Sequence, residues 1–116
     1  MLIEQKLTQA ASFGTEGVTR TLDFDLAKLV EEVGELAIEV QINQGRLPKD
    51  KGGVDGIIGE AVDVINVSLD IIFLHMATNG ISDPHQIEQM IQKISANKLT
   101  RWASKAKEIE ELANAE

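Results

Sequence analysis

The chain has no cysteine and no tyrosine, and its 116 residues include only three Phe, one Trp and two Pro. Without thiols, disulfide staples, thiolate metal sites and a cysteine nucleophile are all excluded. With Phe13, Phe24, Phe73 and Trp102 as its only aromatics, any packed interior must be aliphatic, drawn from Ile, Leu, Val and Ala. No apolar run reaches the roughly 20 residues needed to span a bilayer. The best stretch, 61–78, is broken by Asp63, Asn66, Asp70 and His75. Residues 1–11 carry Glu4 and Lys6 and lack the apolar centre of a signal peptide. A soluble, cytoplasmic protein without a membrane partner is the expectation. Positive charge is also scarce: 11 Lys and Arg against 19 Asp and Glu give a formal net charge of −8. That argues against nucleic acid as a partner, since backbone binding needs clustered cations. It also means that a small phosphate anion is held only where a metal or local basic residues reverse the sign.

What is present is helical periodicity over the length of one domain, residues 1–116. Residues 1–12 read as a short amphipathic helix, closed by the glycines of Phe13-Gly14-Thr15-Glu16-Gly17. Thr21 and Asp23 are N-cap candidates for a second helix running to about Asn43, with Gly45 at its C-terminal end. Leu29, Val33, Leu36 and Val40 form its main apolar stripe, with the acidic residues expected in a seam between partners. Pro48 and three glycines make 46–56 a loop without regular structure, in which Arg46, Lys49 and Lys51 concentrate positive charge. A third helix, from about Ile57 to Thr78, is apolar almost all round and belongs at the centre of an assembly. Asn79-Gly80 ends it, and Asp83 and Pro84 start a last helix that frays into the charged tail 105–116. The expected fold class is all-α, a helical bundle completed by oligomerisation into a homodimer or homotetramer.

Two acidic clusters stand out. Glu31-Glu32-Val33-Gly34-Glu35 lies on the second helix, continuing outward to Glu39, and Glu60-Ala61-Val62-Asp63 lies on the third. At about 100° per residue, Glu32 shares a face with Glu35, and Glu60 with Asp63. Two such pairs on adjacent antiparallel helices gather four carboxylates around one point. Acidic runs are ordinarily a solvated helix face, but Glu60 heads the stripe Val64, Val67, Ile71, Leu74 and is expected to be desolvated. A desolvated glutamate demands a cation. An all-oxygen ligand set suits Mg²⁺, with Mn²⁺ as the alternative. Neither His75 nor His85 follows a glutamate at Glu-x-x-His spacing, so a di-iron bundle site is excluded.

The paired clusters resemble the EExxE…ExxD signature of the MazG-like all-α nucleoside triphosphate pyrophosphohydrolases. The resemblance covers the second and third helices and extends loosely to Lys93, Asn97, Lys98, Arg101 and Trp102. It implies that Glu32, Glu35, Glu60 and Asp63 hold Mg²⁺. It further implies hydrolysis of a (deoxy)nucleoside triphosphate to the monophosphate and pyrophosphate, in nucleotide-pool cleaning. Glu31 or Glu35 would then accept the proton of the attacking water, and Lys98 and Arg101 would contact phosphates. Asn66, one turn beyond Asp63, and Trp102, with Phe13 and Phe24, are the candidates for reading or stacking a base. Two alternatives remain open: a dUTPase-like enzyme within the same fold, and a non-catalytic helical oligomer that binds metal or nucleotide as a regulatory subunit.

Overall fold

The computed structural model describes residues 21–115. Among them are three long helices and no strand: α1 (Leu22–Asn43), α2 (Gly56–Thr78) and α3 (Pro84–Ala115). The expected helix over 1–12 and the glycine break after it, with Phe13, lie outside the described residues. Helix boundaries follow local chemistry closely. Thr21 caps α1, its Oγ1 accepting the Phe24 amide at 3.1 Å, and Asp83 Oδ1 accepts the His85 amide at 3.0 Å at the start of α3. Both α1 and α2 end in the same way. Gly45 and Gly80 adopt φ of 76° and 81°. The amides that follow them reach back five residues, Arg46 to the Gln41 carbonyl and Ile81 to the Met76 carbonyl. This double hydrogen-bonded termination needs a left-handed residue, which glycine supplies without strain.

The loop between α1 and α2 is not wholly irregular. Residues Lys49–Lys51 form one 3₁₀ turn, closed by the Lys51 and Gly52 amides on the Pro48 and Lys49 carbonyls. Three residues with i→i+3 bonds require no apolar periodicity, so proline before the turn and glycine after it do not prevent it. The tail also departs from expectation. Rather than fraying at Lys105, α3 continues unbroken for 32 residues to Ala115. After Pro84 the sequence has neither Gly nor Pro and is rich in Ala, Lys, Glu and Leu, all strong helix formers.

Burial on α1 differs from the stripe read from the sequence. Its buried residues are Asp25, Glu32 and Glu39, spaced seven apart and therefore on one face. Leu29 and Leu36 share that face and are half-buried, whereas Val33 and Val40 are exposed, beside Leu26 and Val30. Glu39 therefore turns inward, not outward. On α2, Leu69 and Phe73 are buried, but Ile58, Val62 and Ile65 are exposed. The described chain thus has little apolar interior of its own: Leu69, Phe73 and Ile87. It exposes 8572 Å², against about 6,200 Å² for a compact monomer of this mass. Its radius of gyration is 17.9 Å, against about 13 Å for a compact domain of roughly 100 residues.

Helices α1 and α2 form an antiparallel pair. Glu39 meets Gly53 just before α2 begins, and Glu32, two turns earlier, meets Glu60 and Asp63 further along it. That pairing positions everything described below. A Cβ at Gly45 would meet nothing within 4 Å, so Gly45→Ala isolates the backbone cost. It is expected to lower stability by about 1 kcal/mol, read as a shift of the urea midpoint at unchanged slope.

Candidate metal centre

The seam between α1 and α2 concentrates carboxylates. One oxygen each from Glu32, Glu60 and Asp63 lies within 4.8 Å of the others. Glu32 is buried, Glu60 half-buried and Asp63 exposed, so the cluster opens outward from a desolvated floor. Two of its oxygens, Glu32 Oε2 and Glu60 Oε2, are shut off from solvent and have no hydrogen-bond partner among the described residues. An unsatisfied buried carboxylate oxygen is among the costlier features a protein can carry. Here two occur in one cluster.

The electrostatics follow. Burial pushes the Glu60 carboxyl above its ordinary value of 4.5, and the charges of Glu35, Asp63 and Glu32 push in the same direction. Glu35 faces Glu60 across the seam and is one of the groups that raise its pKa. Glu35 is itself exposed, and therefore borders the triad from the solvent side. Glu32 is held from its other end: Lys28 Nζ lies 3.3 Å from Glu32 Oε1 and 3.4 Å from Glu31 Oε1. These two carboxylates raise the pKa of the exposed Lys28 ammonium. Glu31 is thus drawn toward Lys28 on the surface, while the second oxygen of Glu32 is left in the seam.

A second carboxylate fixes the neighbouring loop. Glu39 Oε1 accepts the Gly53 amide at 2.6 Å, a short, charge-assisted bond. The loop can approach only because Gly52 has no side chain. A Cβ there would lie 2.8 Å from Glu39 Oε1 and 2.8 Å from Ile42 Cδ1. This clamp leaves a cleft of about 370 Å³ beside the triad, lined by Glu35, Glu39, Lys51, Gly52, Gly53 and Glu60. Lys51 is a second cation, beside Lys28, that the fold brings near the carboxylates. It was legible in the sequence only as part of a basic loop.

The remaining residues singled out from the sequence lie elsewhere. Asn66 is half-buried on α2, one turn past Asp63. Lys98 and Trp102 line an apolar groove with Ile72, His75 and Met76, toward the other end of α2. Arg101 is exposed on the same outer stretch of α3, and Phe24 is exposed near the start of α1. Within one chain, then, the structure gathers Glu32, Glu35, Glu60 and Asp63, and does not place Lys98 and Trp102 beside them. Lys28, and the inward roles of Glu39 (read from the sequence as pointing outward) and Gly52, are contributions that the sequence did not reveal. The i, i+4 spacing of Lys28 and Glu32 was the available signal for the first. Nothing local signalled the other two, because the contact crosses a loop.

A raised carboxyl pKa has a definite sign in the stability balance. The folded state holds the Glu60 proton to higher pH than the unfolded chain does, so this group's contribution weakens stability as pH rises above 4.5. Thermal unfolding in a chelator is expected to show that fall, and Glu60→Gln, which carries no titrating proton, is expected to flatten it relative to the parent. A Gly52→Ala variant is expected to expel the loop from Glu39, read as faster amide hydrogen exchange at Gly53 than in the parent chain.

No family model, no curated protein and no solved structure matches this chain.

Proposed function

We propose that this chain is a Mg²⁺-dependent nucleoside triphosphate pyrophosphohydrolase that works as a homo-oligomer. The observation that carries the proposal is the pair of buried, partnerless oxygens, Glu32 Oε2 and Glu60 Oε2, within a triad whose ligand atoms lie within 4.8 Å. Glu32 and Glu60 would hold a hard dication, which would offset the burial and the like-charge repulsion that raise the Glu60 pKa. The donors are all carboxylate, which fits Mg²⁺ or Mn²⁺ and no thiolate- or imidazole-seeking metal. On this reading Glu32, Glu60 and Asp63 are ligands, and Glu35 either completes the set or faces it.

Phosphates are the natural substrate chemistry for such a site. An anion approaching three carboxylates is repelled unless a cation intervenes, and Mg²⁺ commonly shares its shell with substrate phosphates. When bound, the metal would supply charge neutralisation and a water of lowered pKa. The protein's own residues do the rest. Glu35, exposed and beside Glu60, would accept a proton from an attacking water. Lys51 in the adjoining cleft adds a positive charge toward a polyphosphate tail, and the Glu39–Gly53 clamp holds its loop against the site. Lys28 is a positioning residue, holding one oxygen of Glu32 so that the other stays in the seam. The paired acidic clusters, with their likeness to the MazG-like signature, favour cleavage that releases pyrophosphate.

The oligomer has its own support. Exposed Leu26, Val30, Val33 and Val40 form one stripe along α1, and Ile58, Val62 and Ile65 form another along α2. A second copy that covers these faces completes a four-helix bundle around α1 and α2. Apolar area left in water on this scale is otherwise a standing cost.

The test is a panel of ribo- and deoxynucleoside triphosphates incubated with the pure protein, with and without Mg²⁺. Mg²⁺-dependent release of monophosphate and pyrophosphate is expected. Glu60→Gln and Glu32→Gln should each lower turnover by about 100-fold or more and weaken the thermal stabilisation given by Mg²⁺. Release of single phosphate, or turnover indifferent to Mg²⁺ and to both substitutions, would overturn the proposal. Nucleotide binding with no hydrolysis would instead favour a non-catalytic binding subunit.

A further inference from the structure

Helix α3 is too long for the structure it belongs to. Its 32 residues extend about 48 Å, but burial is confined to its beginning: Ile87 is buried and Ile91 half-buried, while every residue from Gln92 to Ala115 is exposed. The exposed part is not polar throughout. Leu99, Trp102, Ala106, Ile109 and Ala113 recur at alternating spacings of three and four, the seam of a two-helix coiled coil. Trp102, the single tryptophan, is 73% exposed and Ile109 is 60% exposed. A helix of this length with an open apolar seam is built for a partner helix.

The charges identify that partner. From Gln92 to Lys107 the helix carries Lys93, Lys98, Arg101, Lys105 and Lys107 and no acidic residue. From Glu108 to Ala115 it carries Glu108, Glu110 and Glu111 and no basic one. This order is unfavourable for a helix alone. Acidic side chains sit at the negative end of the helix dipole, and no basic residue occupies the last turn. Among the described residues, the local relief is an exposed Lys105–Glu108 pair at 3.5 Å, of the kind that contributes little.

We infer that the outer two-thirds of α3 pairs antiparallel with the same segment of a second copy. Antiparallel pairing lays each acidic end along the partner's basic stretch and opposes the two helix dipoles. Parallel pairing would stack base on base and acid on acid. The seam favours the same arrangement by volume. Sliding the two helices so that Trp102 meets the partner's Ala106 also brings Leu99 to the partner's Ile109, matching large to small and branched to branched. The two-fold axis then passes near Ser104. This contact is separate from the apolar faces of α1 and α2, so one chain has two surfaces through which copies join.

Because the chain contains no cysteine, a single introduced thiol gives an unambiguous label position. The full-length protein carrying a spin label at Ser104→Cys or at Gln92→Cys would be examined by pulsed dipolar spectroscopy. The expected result is a short separation at Ser104 and about 36 Å at Gln92, from twelve residues on each side of the axis at 1.5 Å per residue. Adding Trp102→Ala, or reversing Glu108, Glu110 and Glu111 to Lys, should abolish the short Ser104 distance while circular dichroism stays helical. All four side chains are exposed, so folding does not depend on them. Short distances at both positions would mean parallel pairing and overturn the inference. So would a Ser104 distance that survives both sets of substitutions, or its absence from the parent chain.

Discussion

Like charges confined to one seam are the constraint on which this molecule depends. Helix α1 turns Asp25, Glu32 and Glu39 inward at seven-residue spacing, and α2 answers with Glu60, Asp63 and Asp70. Ordinary helix pairs bury leucine at such positions. Each buried carboxylate forgoes hydration, and each neighbour of the same sign adds to the loss. The chain offsets part of this locally: Lys28 holds one oxygen of Glu32, and the Gly53 amide holds one of Glu39. At the centre, Glu32 and Glu60 keep an oxygen apiece that no side chain among the described residues partners. A fold that closes its seam around that point invites a small, hard cation.

The surrounding architecture serves that seam. Left-handed Gly45 ends α1 cleanly and sends the chain into the loop, and the absence of a side chain at Gly52 lets the loop lie against Glu39 and Ile42. Those contacts bring Lys51 beside the carboxylates. Positive charge next to a triad of negative charge makes the adjoining cleft dipolar. On the proposed function, that polarity would suit a ligand with metal-bound phosphate at one end and further negative charge at the other.

Local chemistry was legible in the sequence and non-local chemistry was not. Thr21, Gly45, Gly80, Asp83 and Pro84 mark helix ends because capping is decided within four or five residues. The grouping of Glu32, Glu60 and Asp63 is legible because helical spacing fixes which side chains share a face. The same rule misled on α1, where the aliphatic stripe Leu29, Val33, Leu36, Val40 seemed the natural interior. Apolarity alone does not say which of two faces meets the intramolecular neighbour, and here the acidic face does. The inward turn of Glu39, the close approach at Gly52 and the distance of Lys98 and Trp102 from the triad all depend on how a loop and a long helix return. No window of sequence contains that information.

The unbroken α3 carries the reasoning one step further. The dense charge after Lys105 reads as a tail when each residue is weighed by polarity, yet the same residues are strong helix formers with an apolar seam running through them. Their order opposes the helix's own dipole, a cost that persists for an isolated chain and reverses sign beside an antiparallel copy. Surface excess points the same way, since a compact chain would not leave its only tryptophan in water. Apolar faces on α1 and α2 and a charge-segregated seam on α3 lie on different parts of the molecule. On the pairing inferred above, copies joined through both surfaces would build a closed assembly larger than a dimer.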